Sequence, residues 1–236
     1  MLKLLHLNNA KWECSFLGEQ ALLLTSAVGD DTAIEVIHSS TYMLNHANIF
    51  GMVDIIPAYQ SIALVYDRLL ESLDQEISRI ESQISDKSIT MPDPAKHRLP
   101  VCYEMGLDWK AVEDHTGLPK DAIIKYHLNG NYIIAMMGFI PGFIYLSGLD
   151  KKIHCPRREN PRIEIPAGAV GIGGSQAGMY SLKSPGGWQI IGQTPHSFFN
   201  PREIPPVKVK AGDRCVFERI TEAEFRKIRE GVNHDR

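Results

Sequence analysis

Arg157, Arg158 and Arg162 fall within six residues, interleaved with Pro156 and Pro161. A guanidinium presents a planar fork of donors that meets a carboxylate or phosphate in fixed geometry, and two prolines stiffen the loop that carries it. The competing reading is a solvated loop neutralised by Glu159 and Glu164. His127 closes a predicted helix just before Asn129-Gly130. An imidazole there is a candidate general base or anion ligand, because it titrates near neutrality, or it simply satisfies the last helical carbonyls. Ser184-Pro-Gly-Gly-Trp188 and Gly192-Gln-Thr-Pro195 bracket one short strand, so their loops leave it at opposite ends. Consecutive Gly186 and Gly187 let a ligand approach the backbone and offer N–H groups to an oxyanion. A tight hairpin with Trp188 in the core is the plainer alternative.

Other chemistries find little support. There is no Walker A or H-E-x-x-H sequence, and Gly171-Ile-Gly-Gly174 lacks the strand and helix of a dinucleotide site. Gly173-Gly-Ser-Gln-Ala177 is one residue short of G-x-S-x-G, and no amphipathic helix follows Ser175 to build a nucleophile elbow. No His, Cys or carboxylate cluster has ligand spacing, and His38 and His46 stand too far apart along one helix, so no metal site is expected.

The elements that must position these groups divide by composition. Twelve of the 19 Gly and nine of the 14 Pro lie between Gly138 and Gly212, a density that specifies backbone shape more than it fills a core. From Tyr132 onward short apolar runs, Tyr132 to Met137, Ala169 to Ile172, Trp188 to Ile191 and Arg214 to Phe217, alternate with turn residues as in a β-barrel or sandwich. Thr221 to Arg229 reads as a charged helix. Upstream, strands are expected at Gln20 to Ser26, Met52 to Ile56, Ser61 to Tyr66 and Leu99 to Tyr103. Helices fall after Thr32 and from Asp67, the latter with Leu70, Leu73, Ile77, Ile80 and Ile84 on one face. The order β-α-β-β-α-β suggests a ferredoxin-like sandwich, although Leu99 to Tyr103 fits either domain. Ser85 to Arg98 is polar and Pro-bearing and is the expected linker, giving an α/β domain over 1–90 and a barrel over 98–236. Helices near Trp109 to His115 and Pro119 to Leu128 lead into the barrel.

A net charge of -3 gives no electrostatic case for nucleic acid. Cys14, Cys102, Cys155 and Cys215 are widely spaced, which suits a reduced cytoplasmic protein, and Met1 to Ala10 lacks a signal-peptide h-region. Gly130 to Leu149 is uncharged and nominally long enough to span a membrane, but Pro141 between Gly138 and Gly142 would break such a helix. A buried strand feeding a tight loop is expected instead.

In their order, the blocks His127, Tyr132, Gly138-Phe-Ile-Pro-Gly-Phe143, Pro156-Arg157, Pro161-Arg162, Pro166-Ala-Gly168, Ser184-Pro-Gly-Gly-Trp188 and Thr194-Pro195 resemble one family. It includes the B subunit of bacterial 5-oxoprolinase, the inhibitor of a sporulation histidine kinase, and allophanate hydrolase subunit 1. The resemblance implies a small α/β domain followed by a cyclophilin-like β-barrel. It also implies direct contact with the C subunit of a 5-oxoprolinase, cooperation with its A subunit, and ATP-driven opening of the 5-oxoproline lactam to glutamate, with Mg²⁺ arriving on the nucleotide. On this view the chain is inactive alone, Arg157 and Arg162 meet anions, and His127 moves a proton or binds an anion. Gly186, Gly187, Gln193 and Thr194 then face substrate or nucleotide. At Gln193 the family more often carries a basic residue, so an amide there keeps hydrogen bonding but lacks charge. The alternatives within the family are a non-catalytic inhibitor docking on a histidine kinase and an allophanate-type amide-cleaving subunit.

Overall fold

A computed structural model describes residues 3–27, 30–84 and 91–234, which divide into two units, Met1–Asp93 and Pro94–Arg236. The segment 85–90, the start of the expected linker, lies outside the described residues.

The first unit opens with a hairpin, β1 (Lys3–Leu7) and β2 (Ala10–Phe16), and continues through β3 (Ala21–Ser26), α1 (Asp30–His46), β4 (Met52–Pro57), β5 (Ser61–Tyr66) and α2 (Leu73–Ile84). The strands form one antiparallel sheet in the order β1-β2-β3-β5-β4. Alternation is plain in β5, where Ile62, Leu64 and Tyr66 point inward to Leu22, Leu24, Ile37 and Ile80. Strands β3, β4 and β5 with helices α1 and α2 follow the ferredoxin-like order. The place beside β3 that a strand after α2 would take is filled by β2 from the amino-terminal hairpin. Leu99 to Tyr103 is therefore not needed there, and most of it belongs to β6 of the second unit. Helix α2 starts at Leu73 rather than at Asp67. The backbone before it is spent elsewhere: Asp67 N–H donates to the Gly51 carbonyl and Leu70 N–H to that of Glu19.

In the second unit β6 (Lys96–Val101) precedes α3 (Trp109–Thr116) and α4 (Lys120–Leu128). Then come β7 (Tyr132–Met137), β8 (Ile144–Ser147), β9 (Arg162–Ile165), β10 (Ala169–Gly173), β11 (Gln176–Met179), β12 (Ser184–Gly186), β13 (Gln189–Gln193), β14 (Arg214–Arg219) and α5 (Glu222–His234). Seven strands form a mixed sheet ordered β13-β10-β11-β8-β7-β14-β6, in which β6 and β14 run parallel from Lys96↔Arg214 to Val101↔Arg219. The sheet nearly closes on itself, because Cys102, just past β6, exchanges both backbone hydrogen bonds with Gln193 at the end of β13 (2.9 and 3.0 Å). Closure removes most of the exposed edge and gives the barrel expected from the short apolar runs. Leu99, Val101, Ile134, Ile144, Leu146, Val170, Ile172, Met179 and Ile191 fill its core. Strands β9 and β12 form a separate two-stranded ribbon. The uncharged stretch Gly130 to Leu149 is β7, a tight loop and β8, and no helix among the described residues is long and apolar enough to cross a membrane.

Candidate functional site

Outside the main barrel core lies a smaller apolar cluster: Phe143, Ile165, Ala169, Tyr180, Trp188 and Ile190, with Ile140 and Tyr145 against it. The Gly- and Pro-rich blocks singled out in the sequence converge here. Gly138 to Phe143 supplies Phe143, the ribbon strand β9 brings Ile165, and the turn after β12 delivers Trp188. The rings meet edge to face, Phe143 with Tyr180 at 4.9 Å and with Trp188 at 5.6 Å, and Tyr145 with Trp188 at 5.8 Å between centroids. Trp188 lies flat against glycine backbone. A Cβ on Gly173 would come within 2.7 Å of its indole, and one on Gly178 within 2.8 Å, so both positions must lack a side chain. The loop before Phe143 is strained, since Phe139 has φ 69° and its ring is 60% exposed.

The three arginines approach this cluster differently. The Arg157 guanidinium lies 5.5 Å from the Trp188 ring centroid, is exposed, and has no ion-pair partner among the described residues. Arg158 and Arg162 are instead gathered by one buried carboxylate, Asp108. Its Oδ1 accepts from Arg158 Nη1 (2.8 Å) and Arg162 Nη2 (2.6 Å), and its Oδ2 from Arg162 Nη1 (2.8 Å) and the Ile190 backbone N–H (2.6 Å). Asp108 precedes α3, where a carboxylate ordinarily caps the helix, yet it makes no such cap. Two guanidiniums on one carboxylate leave a formal positive charge, and Arg157 adds another beside it. Tyr145 is half-buried near Arg157. Burial raises the pKa of its hydroxyl, and the guanidinium partly opposes that shift. Burial likewise pushes the Tyr180 hydroxyl up to about 12, keeping it protonated at neutral pH.

Gly186 pairs with Arg162 in the ribbon, and the Gly187 carbonyl accepts from Arg158 N–H at 2.7 Å, so the glycine pair adjoins the arginines. Gln193 and Thr194 are held apart from them, at the far end of β13. Gln193 is the seam of the barrel, and its side-chain amide donates to the Ala167 carbonyl at 2.6 Å, a buried structural contact with no open face for an anion. Thr194 N–H donates to the Gly168 carbonyl, and its side chain lines a separate cleft.

His127 requires a correction. It closes α4 as expected, but its ring is fully buried between Phe217 (4.4 Å), Tyr132 (5.4 Å) and Tyr103, whose hydroxyl lies 2.7 Å from Nδ1. Burial pushes its pKa down to about 3, so the imidazole is neutral near pH 7. A neutral ring sealed in the core neither exchanges protons with a substrate nor holds an anion. It packs the barrel, and the proton-transfer role expected for it fails on access.

Sequence reasoning missed Asp108, because an Asp before a helix reads as an ordinary cap. It also missed Tyr145, whose position in a strand gave no sign that Trp188 would lie beside it. Among the described residues no group of three or more His, Cys, Asp or Glu side chains is placed to hold a metal ion.

Residues 12–209 match the family model described as carboxyltransferase domain, subdomain C and D. The chain belongs to this family. Within it, the chain is 34% identical to a Bacillus subtilis protein named as the B subunit of 5-oxoprolinase, covering 94% of this chain and 99% of that one. An Escherichia coli O157:H7 protein of the same name is 37% identical over 71% of this chain and 78% of its own. Among solved structures of the carboxyltransferase-domain fold, TTHA0988 superposes with a TM-score of 0.74 at 28% identity, covering 85% of this chain. This chain spans only 40% of that longer one.

Proposed function

We propose that the chain is the B subunit of a bacterial ATP-dependent 5-oxoprolinase, working with the A and C subunits to open 5-oxo-L-proline to L-glutamate. The likeness to a 5-oxoprolinase B subunit over nearly its whole length supports the assignment. The observation that carries the site is Arg157, a guanidinium steadied on Trp188 and free of any carboxylate among the described residues, while its two neighbours share Asp108.

The chemistry explains what such a group is for. A lactam is resonance-stabilised and its ring nitrogen leaves poorly. Transfer of the γ-phosphoryl group of ATP to the amide oxygen, releasing ADP, makes the carbon electrophilic. Water then adds, the C–N bond breaks with the nitrogen leaving as the protonated amine, and the acyl phosphate left behind is hydrolysed by a second water to the carboxylate and phosphate. Positioning and charge stabilisation then do most of the work. Arg157, with the Tyr145 hydroxyl near it, is suited to grip the substrate carboxylate. The paired Arg158 and Arg162 hold the loop in register and keep the local potential positive. A pocket built on one exposed guanidinium and an aromatic wall is incomplete by itself, which agrees with a polypeptide that needs the C subunit packed on it and is inactive alone. Magnesium would come bound to the nucleotide. All four cysteines are buried and unpaired, which supports a reducing, cytoplasmic setting.

The test is coexpression with candidate A and C subunits, followed by assay of 5-oxoproline-dependent ATP hydrolysis. Activity is expected only when all three are present; full activity without this chain would overturn the assignment. In the assembled complex Arg157→Ala is expected to raise the KM for 5-oxoproline about tenfold, the worth of one charge-assisted hydrogen bond. An unchanged KM and kcat would remove Arg157 from the site.

A further inference from the structure

The direction of the Arg157 side chain is set by the two peptide planes that flank it. A peptide unit is planar, so one hydrogen bond to its carbonyl or its N–H restrains the whole plane, and with both planes held the residue between them has little freedom left in φ and ψ. On the carboxyl side the bond is backbone to backbone, from Arg158 N–H to the Gly187 carbonyl at 2.7 Å. On the amino side it comes from a side chain: the Pro156 carbonyl accepts from Gln189 Nε2 at 3.1 Å. One residue further back, Cys155 and Gly174 exchange both backbone hydrogen bonds (3.2 and 2.7 Å), so the loop reaches Pro156 from a fixed point.

Gln189 is the second of three consecutive residues that act on this loop. Trp188 carries the Arg157 guanidinium on its ring, and the Ile190 backbone N–H binds Asp108, which gathers Arg158 and Arg162. Gln189 itself is paired with Ile172 across β10 and β13 and is only 6% exposed. Its amide therefore reaches the loop from rigid ground.

The need to satisfy a buried carbonyl does not explain this bond. Pro156 is exposed, so water would meet its carbonyl if the loop swung outward. Burying the amide also works against stability, because Gln189 Oε1 is sealed from solvent and has no hydrogen-bond partner among the described residues. A methionine of nearly the same length would fill the place without an orphaned acceptor. What only the amide supplies is a donor that fixes the peptide plane entering Arg157.

We propose that Gln189 is a positioning residue, which aims Arg157 through the Pro156 carbonyl without touching the substrate. The inference rests on the reading of Arg157 as the grip for the substrate carboxylate, and it names the group that makes the grip rigid.

The first test uses the isolated full chain labelled with 5-fluorotryptophan. Its three tryptophans give three fluorine resonances, and Trp188→Phe identifies the one beside Arg157. Arg157→Ala and Gln189→Met are each expected to move that resonance, and the two changes together to move it no further than Arg157→Ala alone. Gln189→Leu, which also lacks the donor, is the second variant should the first fail to fold. A Trp188 line left in place by Arg157→Ala, or by a folded Gln189 variant, would overturn the proposal. A full additional shift in the double variant would show Gln189 acting on Trp188 directly and overturn it as well.

The second test uses the assembled complex. Gln189→Met is expected to raise the KM for 5-oxoproline about fivefold, the worth of one neutral hydrogen bond, with kcat changed less than about twofold. Added to Arg157→Ala, it is expected to have no further effect; losses that multiply would make Gln189 a residue of general stability and sink the positioning role. An unchanged KM in Arg157→Ala alone would remove the grip, whereas the fluorine resonance still decides whether Gln189 aims Arg157.

Discussion

Each unit of the molecule contains a buried carboxylate held by two arginines. In the first it is Glu76, which accepts from Arg68 Nη1 (3.0 Å) and Nη2 (2.5 Å) and from Arg79 Nη1 (2.5 Å); in the second it is Asp108 with Arg158 and Arg162. Both carboxylates keep only 2% of their side-chain surface exposed. The surroundings differ. Arg68 turns back on Phe50 and Tyr66, so the Glu76 cluster closes on its own helix and the strand before it. Asp108 also binds the Ile190 backbone, and its arginines belong to a Pro-bounded loop that sets Arg157 on Trp188. A carboxylate with two guanidiniums is thus no mark of function by itself. What distinguishes the second is that tightening it fixes a neighbour that remains free.

The comparison can be broken in a defined order. Removing Asp108 by Asp108→Ala strands two partly buried guanidiniums and the Ile190 N–H, and is expected to cost about 3–5 kcal/mol in chemical denaturation. Glu76→Ala is expected near the low end of that range, because Arg79 is half-exposed and can return to water. The two should part in the assembled complex, under conditions where both variants are folded. Asp108→Ala raises the KM for 5-oxoproline and Glu76→Ala does not; equal shifts would erase the distinction.

Gly173→Ala acts from the other side, by pushing a methyl group into the Trp188 indole. It is expected to cost about 1–3 kcal/mol and to disturb Arg157 through its seat, with partial recovery of KM when Trp188→Phe makes room. His127 provides a buried polar group with no charge to compare against. Its pKa is about 3 in the fold against 6.5 ordinarily, so the unfolded chain takes up the proton first as pH falls. The associated stability is complete above pH 6.5, is reduced by about 2 kcal/mol at pH 5, and keeps falling toward pH 3. His127→Phe should flatten that acid limb in urea titrations run at several pH values. The smallest change in stability is expected for Arg157→Ala, within about 0.5 kcal/mol, because the side chain is exposed and its role lies in binding. A large loss in thermal melts would make Arg157 a structural clamp like its neighbours.

Much of the architecture was legible because it rests on local signals. The apolar runs of β7, β10, β13 and β14, each bounded by turn residues, became barrel strands, and the uncharged Gly130 to Leu149 segment became two strands around the Pro141 loop. What escaped the sequence depends on residues far apart in it. Helix α2 starts late because Asp67 and Leu70 find carbonyl partners at Gly51 and Glu19. His127 reads as an exposed helix end until Tyr103 and Phe217 are brought over it. Gln193 reads as a binding amide until Cys102 arrives across the seam. At the candidate site, the cluster of arginines was visible from spacing, but its division into two tethered and one free was not. That division is made by Asp108, roughly fifty residues upstream.

The parallel pairing of β6 with β14 has a bearing on how the second unit is made. His97 on β6 meets Asp213, 116 residues later, at 2.8 Å, and Asp213 also receives the Ala95 and Lys210 N–H groups. On the ribosome, β6 emerges first and waits with a bare flank while nearly the whole unit is translated. Nascent chains stopped before Asp213 lack both its partner strand and this carboxylate clasp, which makes the translation between β6 and β14 the interval in which this unit most needs shielding from its neighbours.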